Sequence, residues 1–406
     1  MITEIKTNNF KSVADLTLPL GRFNVLIGAN GSGKSNILEA IAFGAAASAD
    51  KLDNEFLGPR GIRTASAQLM KSAFSKENFS KPILLNFKNA NKETTFSIEE
   101  EDKPILKWVI KEKETIGKSF RDFITSLFSK EPEKSEVYKN LHEFDKNKLT
   151  DISSIFSNVA IGDTGFDFEQ LNNVFSSLID KLYKDSNYIE ELANFIIYSP
   201  EISSLRKFEE ESQIKPLGVK GEGLFSVLQI FYENENYGTE TIDEIRKYLH
   251  IIEWFDDFEA IFDRVSGRKS LVVKDRNILD VTLNQTNVNE GFLFLLFYIS
   301  LFISKETPSF FAIDNIEASF HPLLCEELIK ILIELSKKHN KQIILTTHNP
   351  FVLDGLDLSD PEQKLFVVER NADGATTAFS IDKPLKNGKL SDAWIRGRIG
   401  GNPETF

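Results

Sequence analysis

The chain has 406 residues, of which 41% are hydrophobic and 27% charged, enough apolar material for about two to four cored units, and this excludes a disordered protein. Its net charge of −13 argues against a general nucleic-acid coat, while a local basic groove stays possible. The single cysteine, Cys325, excludes an internal disulfide framework, a cysteine zinc site and a CxxC pair.

In chain order, Ile2–Asn8 reads as a strand and Asp15–Leu20 alternates like a second. Phe23–Ile27 is a short buried strand that runs into Gly28-Ala29-Asn30-Gly31-Ser32-Gly33-Lys34-Ser35, and helical spacing follows over Asn36–Ala49. Residues 50–80 have no clear period. Ile83–Phe87, Thr94–Ile98 and Ile105–Ile110 form a meander separated by polar turns. From about Lys118 to Tyr198 the pattern is helical and rich in Lys, Glu and Ser, with no heptad run. A glycine-punctuated loop (Gly218, Gly221, Gly223) opens a helix, and Thr241–Phe262 reads as helical throughout. Lys269–Lys274 and Ile278–Leu283 read as strands. The twelve-residue run Phe292–Ile303 is too short for a bilayer and reads as a buried helix. Phe310–Ile313 is a buried strand ending in Asp314. Pro322–His339 is an amphipathic helix, and Gln342–Thr346 is a further buried strand leading to Thr347-His348-Asn349-Pro350. Leu365–Val368 and Thr377–Ile381 close the pattern. The opening residues carry no signal-peptide character, so the expected location is the cytoplasm, with no membrane contact.

Gly28-x4-Gly33-Lys34-Ser35 is a complete P-loop in its required strand–helix context. Asn30, Gly31, Ser32, Gly33, Lys34, Ser35 and Asn36 are the expected nucleotide contacts. Backbone N–H groups of the loop close on phosphate, Lys34 supplies a point charge, and Ser35 offers a hydroxyl to Mg²⁺. Asp314, at the end of an apolar strand, suits the Walker B carboxylate that holds Mg²⁺, although an aspartate there also makes an ordinary helix N-cap. His348 suits a sensor of the terminal phosphate, against the plainer reading of a structural strand-end histidine.

Asn9-Phe10-Lys11-Ser12, the P-loop, Ile313-Asp314, His321-Pro322 and Thr347-His348-Asn349-Pro350 together resemble the ABC-type ATPase head. The similarity is to the SMC/RecF/OLD-like branch and the standalone AAA family ATPases of bacterial anti-phage defence operons. It covers about residues 1–46 and 269–370. It implies an α/β fold: a mixed sheet flanked by helices, an antiparallel β lobe and an inserted helical lobe. The expected division is 1–114 for the first part of the head, 115–200 for the insertion and 201–406 for the rest. The resemblance also implies ATP and Mg²⁺ as ligands and a dimer in which each nucleotide meets a signature helix of the other copy. Asn289-Glu290-Gly291 matches that signature, unless it is simply an N-cap, and Ala318-Ser319-Phe320 matches the loop lining the dimer seam.

One position departs from the family. The residue after Asp314 is usually Glu and polarises the attacking water; here it is Asn315. An amide positions water but takes no proton, and losing a general base costs about 10²–10⁴-fold. Slow hydrolysis, or stable holding of ATP, is therefore expected, unless the backbone brings Glu317 into the site. OLD-like relatives continue into a nuclease, but only 58 residues follow His348, so any cutting is expected from a separate effector chain. The expected role is a regulatory or scaffold subunit for such a nuclease or toxin. The alternative is a RecF-like turnover ATPase that acts on DNA. The tail around Trp394, Arg396 and Arg398 reads either as a partner-docking motif or as a segment packed on its own head.

Overall fold

The computed structural model describes residues 1–74, 76–101, 107–117, 191–207, 214–235, 237–262, 269–317, 320–381 and 388–401. Most of the expected insertion lies outside them, as do Ala318 and Ser319 of the seam loop.

The architecture follows from alternation within a few apolar strands. The strands β1 (Ile2–Phe10), β2 (Val13–Pro19) and β3 (Phe23–Ile27) precede helix α1 (Lys34–Ser48). After short helical turns come β4 (Ile83–Asn89), β5 (Lys92–Glu101), β6 (Lys107–Gly117) and β7 (Ile197–Tyr198). Then follow α2 (Leu224–Glu233), α3 (Gly238–Leu249), β8 (Phe255–Phe262), β9 (Lys269–Asp275), β10 (Leu283–Asn284) and α4 (Glu290–Ile303). The chain continues through β11 (Phe310–Ile313), α5 (Pro322–Lys338), β12 (Gln342–Thr346), β13 (Gln363–Arg370), β14 (Thr376–Ser380) and α6 (Leu390–Ile395).

The central sheet has the order β14-β13-β3-β12-β11-β7. Its pairs are parallel except β13–β14. Successive side chains point to opposite faces, so each strand feeds two cores. Phe23, Val25 and Ile27, Phe311 and Ile313, and Ile343 and Leu345 face the core built on α4 and α5. Leu26, Phe310, Ala312 and Ile344 face the other core, around α1. Both faces are covered, which is why these strands read as continuous apolar runs. β7, which falls within the 115–200 span expected for the insertion, adds to the edge of the head sheet at β11.

The antiparallel lobe, ordered β2-β1-β4-β5-β6, covers the outer side of α1. Every residue of α1 from Ile37 to Ser48 is buried. The run Ala45-Ala46-Ala47 and Gly44 let it sit between two sheets: a Cβ on Gly44 would lie 2.3 Å from Phe87 Cζ. A smaller sheet, β10-β9-β8, packs beside α4. The mixed sheet, its flanking helices and the antiparallel lobe are the α/β head that the motifs led us to expect.

Two expectations fail between residues 241 and 283. Residues 241–262 are not a continuous helix. α3 ends at Leu249, and β8 begins at Phe255. Phe255, Phe258 and Ala260 are buried in a strand pattern interrupted by a bulge between Phe255 and Asp257, and the apolar spacing around that bulge passes for helical. Ile278–Leu283 is mostly a turn, with only Leu283–Asn284 paired. Ile278, Leu279 and Val281 are exposed apolar residues at its tip, at 42%, 85% and 60%.

Candidate functional site

The P-loop occupies the turn between β3 and α1. Gly28, Gly31 and Gly33 all have positive φ. At Gly33 (φ 110°) a Cβ would fall 2.0 Å from Thr376 Oγ1, so conformation and space both demand glycine. Gly33 is the N-cap of α1 and has no side chain to bond the helix's free N–H groups. Those donors and the positive end of the helix are left for an anion. The Ser32 hydroxyl is buried with no hydrogen-bond partner in the structure. Asn30 and Gly31 are exposed at the loop's crest, and Asn36 donates to Ser12 Oγ at 2.7 Å.

Lys34 is buried, and its Nζ donates to Gly28 O at 2.7 Å and Ala29 O at 3.1 Å. Burial pushes its ammonium down to about 8, while the Asp314 and Glu317 carboxylates act against that shift. Ser35 Oγ donates to Asp314 Oδ2 at 3.2 Å. The other Asp314 oxygen accepts from the Thr346 hydroxyl, which also accepts from Asn315 N at 2.9 Å. Asp314 N donates to Tyr198 O at 2.8 Å, so edge strand β7 fixes the backbone under this carboxylate. Asp314 is therefore not an N-cap: α5 is capped by His321 instead.

Asn315 takes a left-handed conformation (φ 58°), which asparagine tolerates better than most residues, and its side chain is exposed. Ile316 then turns back into the core. Its N–H donates to Thr346 O at 3.2 Å, and Tyr298 Oη donates to its carbonyl at 3.4 Å. That turn carries Glu317 into the site. Glu317 Oε1 accepts the backbone N–H of His348 at 2.8 Å, while Oε2 is buried with no partner in the structure. Burial, with the Glu317 charge adding to it, raises the Cys325 thiol to about 12.

His348 follows Thr347, whose N–H donates to Leu26 O at 3.2 Å beside the P-loop strand. Lys34, Ser35, Asp314, Glu317 and His348, read from sequence positions up to 314 residues apart, thus converge at the carboxyl ends of β3, β11 and β12. Asn289, Glu290 and Gly291 open α4 beside the small sheet, outside this hydrogen-bonded cluster. Asn289 is an N-cap in fact, accepting from Gly291 N at 2.7 Å.

Sequence reading missed the braces around the loop. Thr376 Oγ1 donates to Ser32 O at 2.9 Å and shares a 2.7 Å hydrogen bond with Ser12. Arg370 Nε donates to Gly31 O at 2.7 Å. Glu39, buried in α1, pairs with Lys11 and, at 2.5 Å, with Arg63. Lys11 and Ser12 lie in the Asn9–Ser12 motif, but no local pattern marks Thr376, Arg370, Glu39 or Arg63, because these groups meet only once the β lobe and β13–β14 fold over α1. Thr346 is the exception: a hydroxyl ending an apolar strand beside the Asp314 strand was a usable signal.

A hydroxyl and a carboxylate side by side are hard oxygen ligands suited to Mg²⁺. The described residues contain no group of three His, Cys, Asp or Glu able to cage a metal. Ser35 and Asp314 fit an ion that takes its remaining ligands from phosphate and water, as Mg²⁺ beside a nucleotide does. No described helix is long and apolar enough to cross a membrane.

Among solved structures, the chain aligns with the Smc head domain of Pyrococcus furiosus, which carries an extended coiled coil and is bound to the C-terminal domain of ScpA. The identity is 17%, the alignment covers 97% of each chain, and the TM-score is 0.47. The SMC head domain of Thermotoga maritima aligns at 14% identity over 94% of this chain and 99% of that one, with a TM-score of 0.44. No curated protein matches in sequence. Residues 1–353 match the AAA ATPase domain family, with the P-loop and the Asp314 strand both inside the matched span, and the chain belongs to that family.

Proposed function

We propose that this ATPase binds ATP with Mg²⁺ at the Lys34–Ser35–Asp314 cluster and pairs two heads across the nucleotide. In that state it serves as a regulatory or scaffold subunit for a separately encoded effector, a nuclease or toxin, in bacterial phage defence. The observation that carries the reading is the 3.2 Å contact between Ser35 and Asp314 at the uncapped start of α1. A phosphate chain there meets the loop N–H groups and Lys34, and the ion that Ser35 and Asp314 hold neutralises phosphate charge. His348 reads the terminal phosphate, and Asn289, Glu290 and Gly291 of a second copy meet it from the other side. With Asn315 in place of a carboxylate the base is not where the family places it, and turnover is slow but not absent, so the ATP-bound form persists as a signal.

Calorimetric titration with Mg·ATP tests the foundation. Wild type binds, and Lys34→Ala, still folded by circular dichroism, does not. Equal affinity in the two would remove the nucleotide assignment. Steady-state ATPase rates with and without duplex DNA then separate this role from a RecF-like enzyme. A rate unchanged by DNA supports the effector-subunit reading, and a strong stimulation favours the other.

A further inference from the structure

We propose that Glu317, three residues beyond Asp314, takes the proton of the attacking water in place of the residue at 315. This rests on the nucleotide-site reading above. Asn315 is poorly suited twice over: its amide has no basic site, and its side chain is exposed on a left-handed turn. Glu317 has the opposite character. The backbone returns it to the end of β12, where the His348 N–H holds Oε1 at 2.8 Å and orients the carboxylate. Oε2 is left buried without a partner. A buried carboxylate oxygen with no donor is costly to keep, and a water molecule supplies the donor it lacks. Its charge also acts on Lys34, so the group lies in the electrostatic field of the phosphate site.

In the step itself, the water oxygen attacks the γ-phosphorus while its proton passes to Glu317 Oε2. The bond from the γ-phosphorus to the β–γ bridging oxygen breaks, and its electron pair stays on ADP. The products are ADP and inorganic phosphate, and the proton on Glu317 returns to solvent. The hydrogen bond from His348 N–H couples this carboxylate to the loop that faces the terminal phosphate, which gives the backbone of that loop a positioning role.

Single-turnover hydrolysis of radiolabelled ATP, with protein in excess, tests the assignment beside a separate measurement of ATP affinity. The expected result is that Glu317→Gln slows conversion about 10²–10⁴-fold, while affinity and thermal stability stay within about threefold and a few degrees of wild type. Glu317→Asp recovers part of the rate, and Asn315→Ala changes it less than about tenfold. Conversion by Glu317→Gln within about fivefold of wild type overturns the proposal, as does wild type that binds ATP without converting it. Equal loss of affinity in Glu317→Gln and Glu317→Asp assigns the residue to bracing alone, and also overturns it. Failure of wild type to bind ATP removes the nucleotide reading itself.

Discussion

Lys34 shows how far a single residue's chemistry depends on its surroundings. Its ammonium is buried against the Gly28 and Ala29 carbonyls, and burial holds it near 8, well below an ordinary lysine. Polyphosphate favours the charged form, so binding at pH above 8 must also take up a proton. Below pH 7 the lysine is already charged and affinity is flat with respect to this group. As pH rises from 7 to 9, affinity falls by about tenfold, most of it above pH 8. Calorimetry in buffers of different ionisation enthalpy checks this, since the proton uptake appears at pH 9 and not at pH 7. Asn315 makes the second prediction at this scale. Its φ of 58° suits asparagine, and a glutamate there costs about 1 kcal/mol. With Glu317 already serving the water, Asn315→Glu lowers stability by that amount and raises turnover less than about tenfold. A gain of two powers of ten would hand the base to position 315.

Among the elements, α6 settles the reading of the tail. Trp394 is fully buried, and its indole N–H donates to Gly401 O at 2.5 Å. Gly401 N in turn donates to Glu369 at the end of β13. The tail is therefore packed on its own head, next to the strand that carries Arg370 to the P-loop. Trp394→Ala removes a large buried side chain and leaves a carbonyl unpaired, so it costs about 3–5 kcal/mol in chemical denaturation. Trp394→Phe keeps most of the volume and costs about 1 kcal/mol. If both variants unfold at the wild-type midpoint, the indole does not anchor the tail. Arg396 and Arg398 remain exposed beyond it.

For the molecule as a whole, the head is assembled from both ends of the chain. β3 lies between β12 and β13, and β1 pairs with β4 in the lobe over α1. Residues 118–190 connect β6 to β7 in the sequence, and Lys34, Ser35, Asp314, Glu317 and His348 all lie outside them. Replacing them with a short Gly/Ser linker is expected to leave Mg·ATP affinity within about threefold of wild type. Loss of binding in a folded protein would place that segment in the head. Pairing across nucleotide is expected to depend on the γ-phosphate, because a helix start adds about 0.3–1 kcal/mol toward an anion, up to about 2 when partly buried. Light scattering after gel filtration is expected to show a dimer with a non-hydrolysable ATP analogue and a monomer with ADP. A monomer under both conditions removes the pairing.

The sequence by itself determined the strand–loop–helix at Phe23–Ser48, the buried strands ending at Asp314 and Thr346, and the residue types that those ends present. These features are local: a P-loop needs its glycines in order, and a strand buried on both faces must be apolar along its length. The same locality explains the misreading of residues 255–262, where a bulge shifts the period that separates strand from helix. Tertiary structure alone decided that Glu317 is held at the end of β12 by the His348 N–H while Asn315 is exposed. That outcome depends on a left-handed turn held by Thr346 and Tyr298, from two other elements. It also decided that Ser12, Thr376 and Arg370 brace the loop, since Thr376 and Arg370 lie hundreds of positions from Ser12 and from the loop and meet them only through the pairing of sheets around α1.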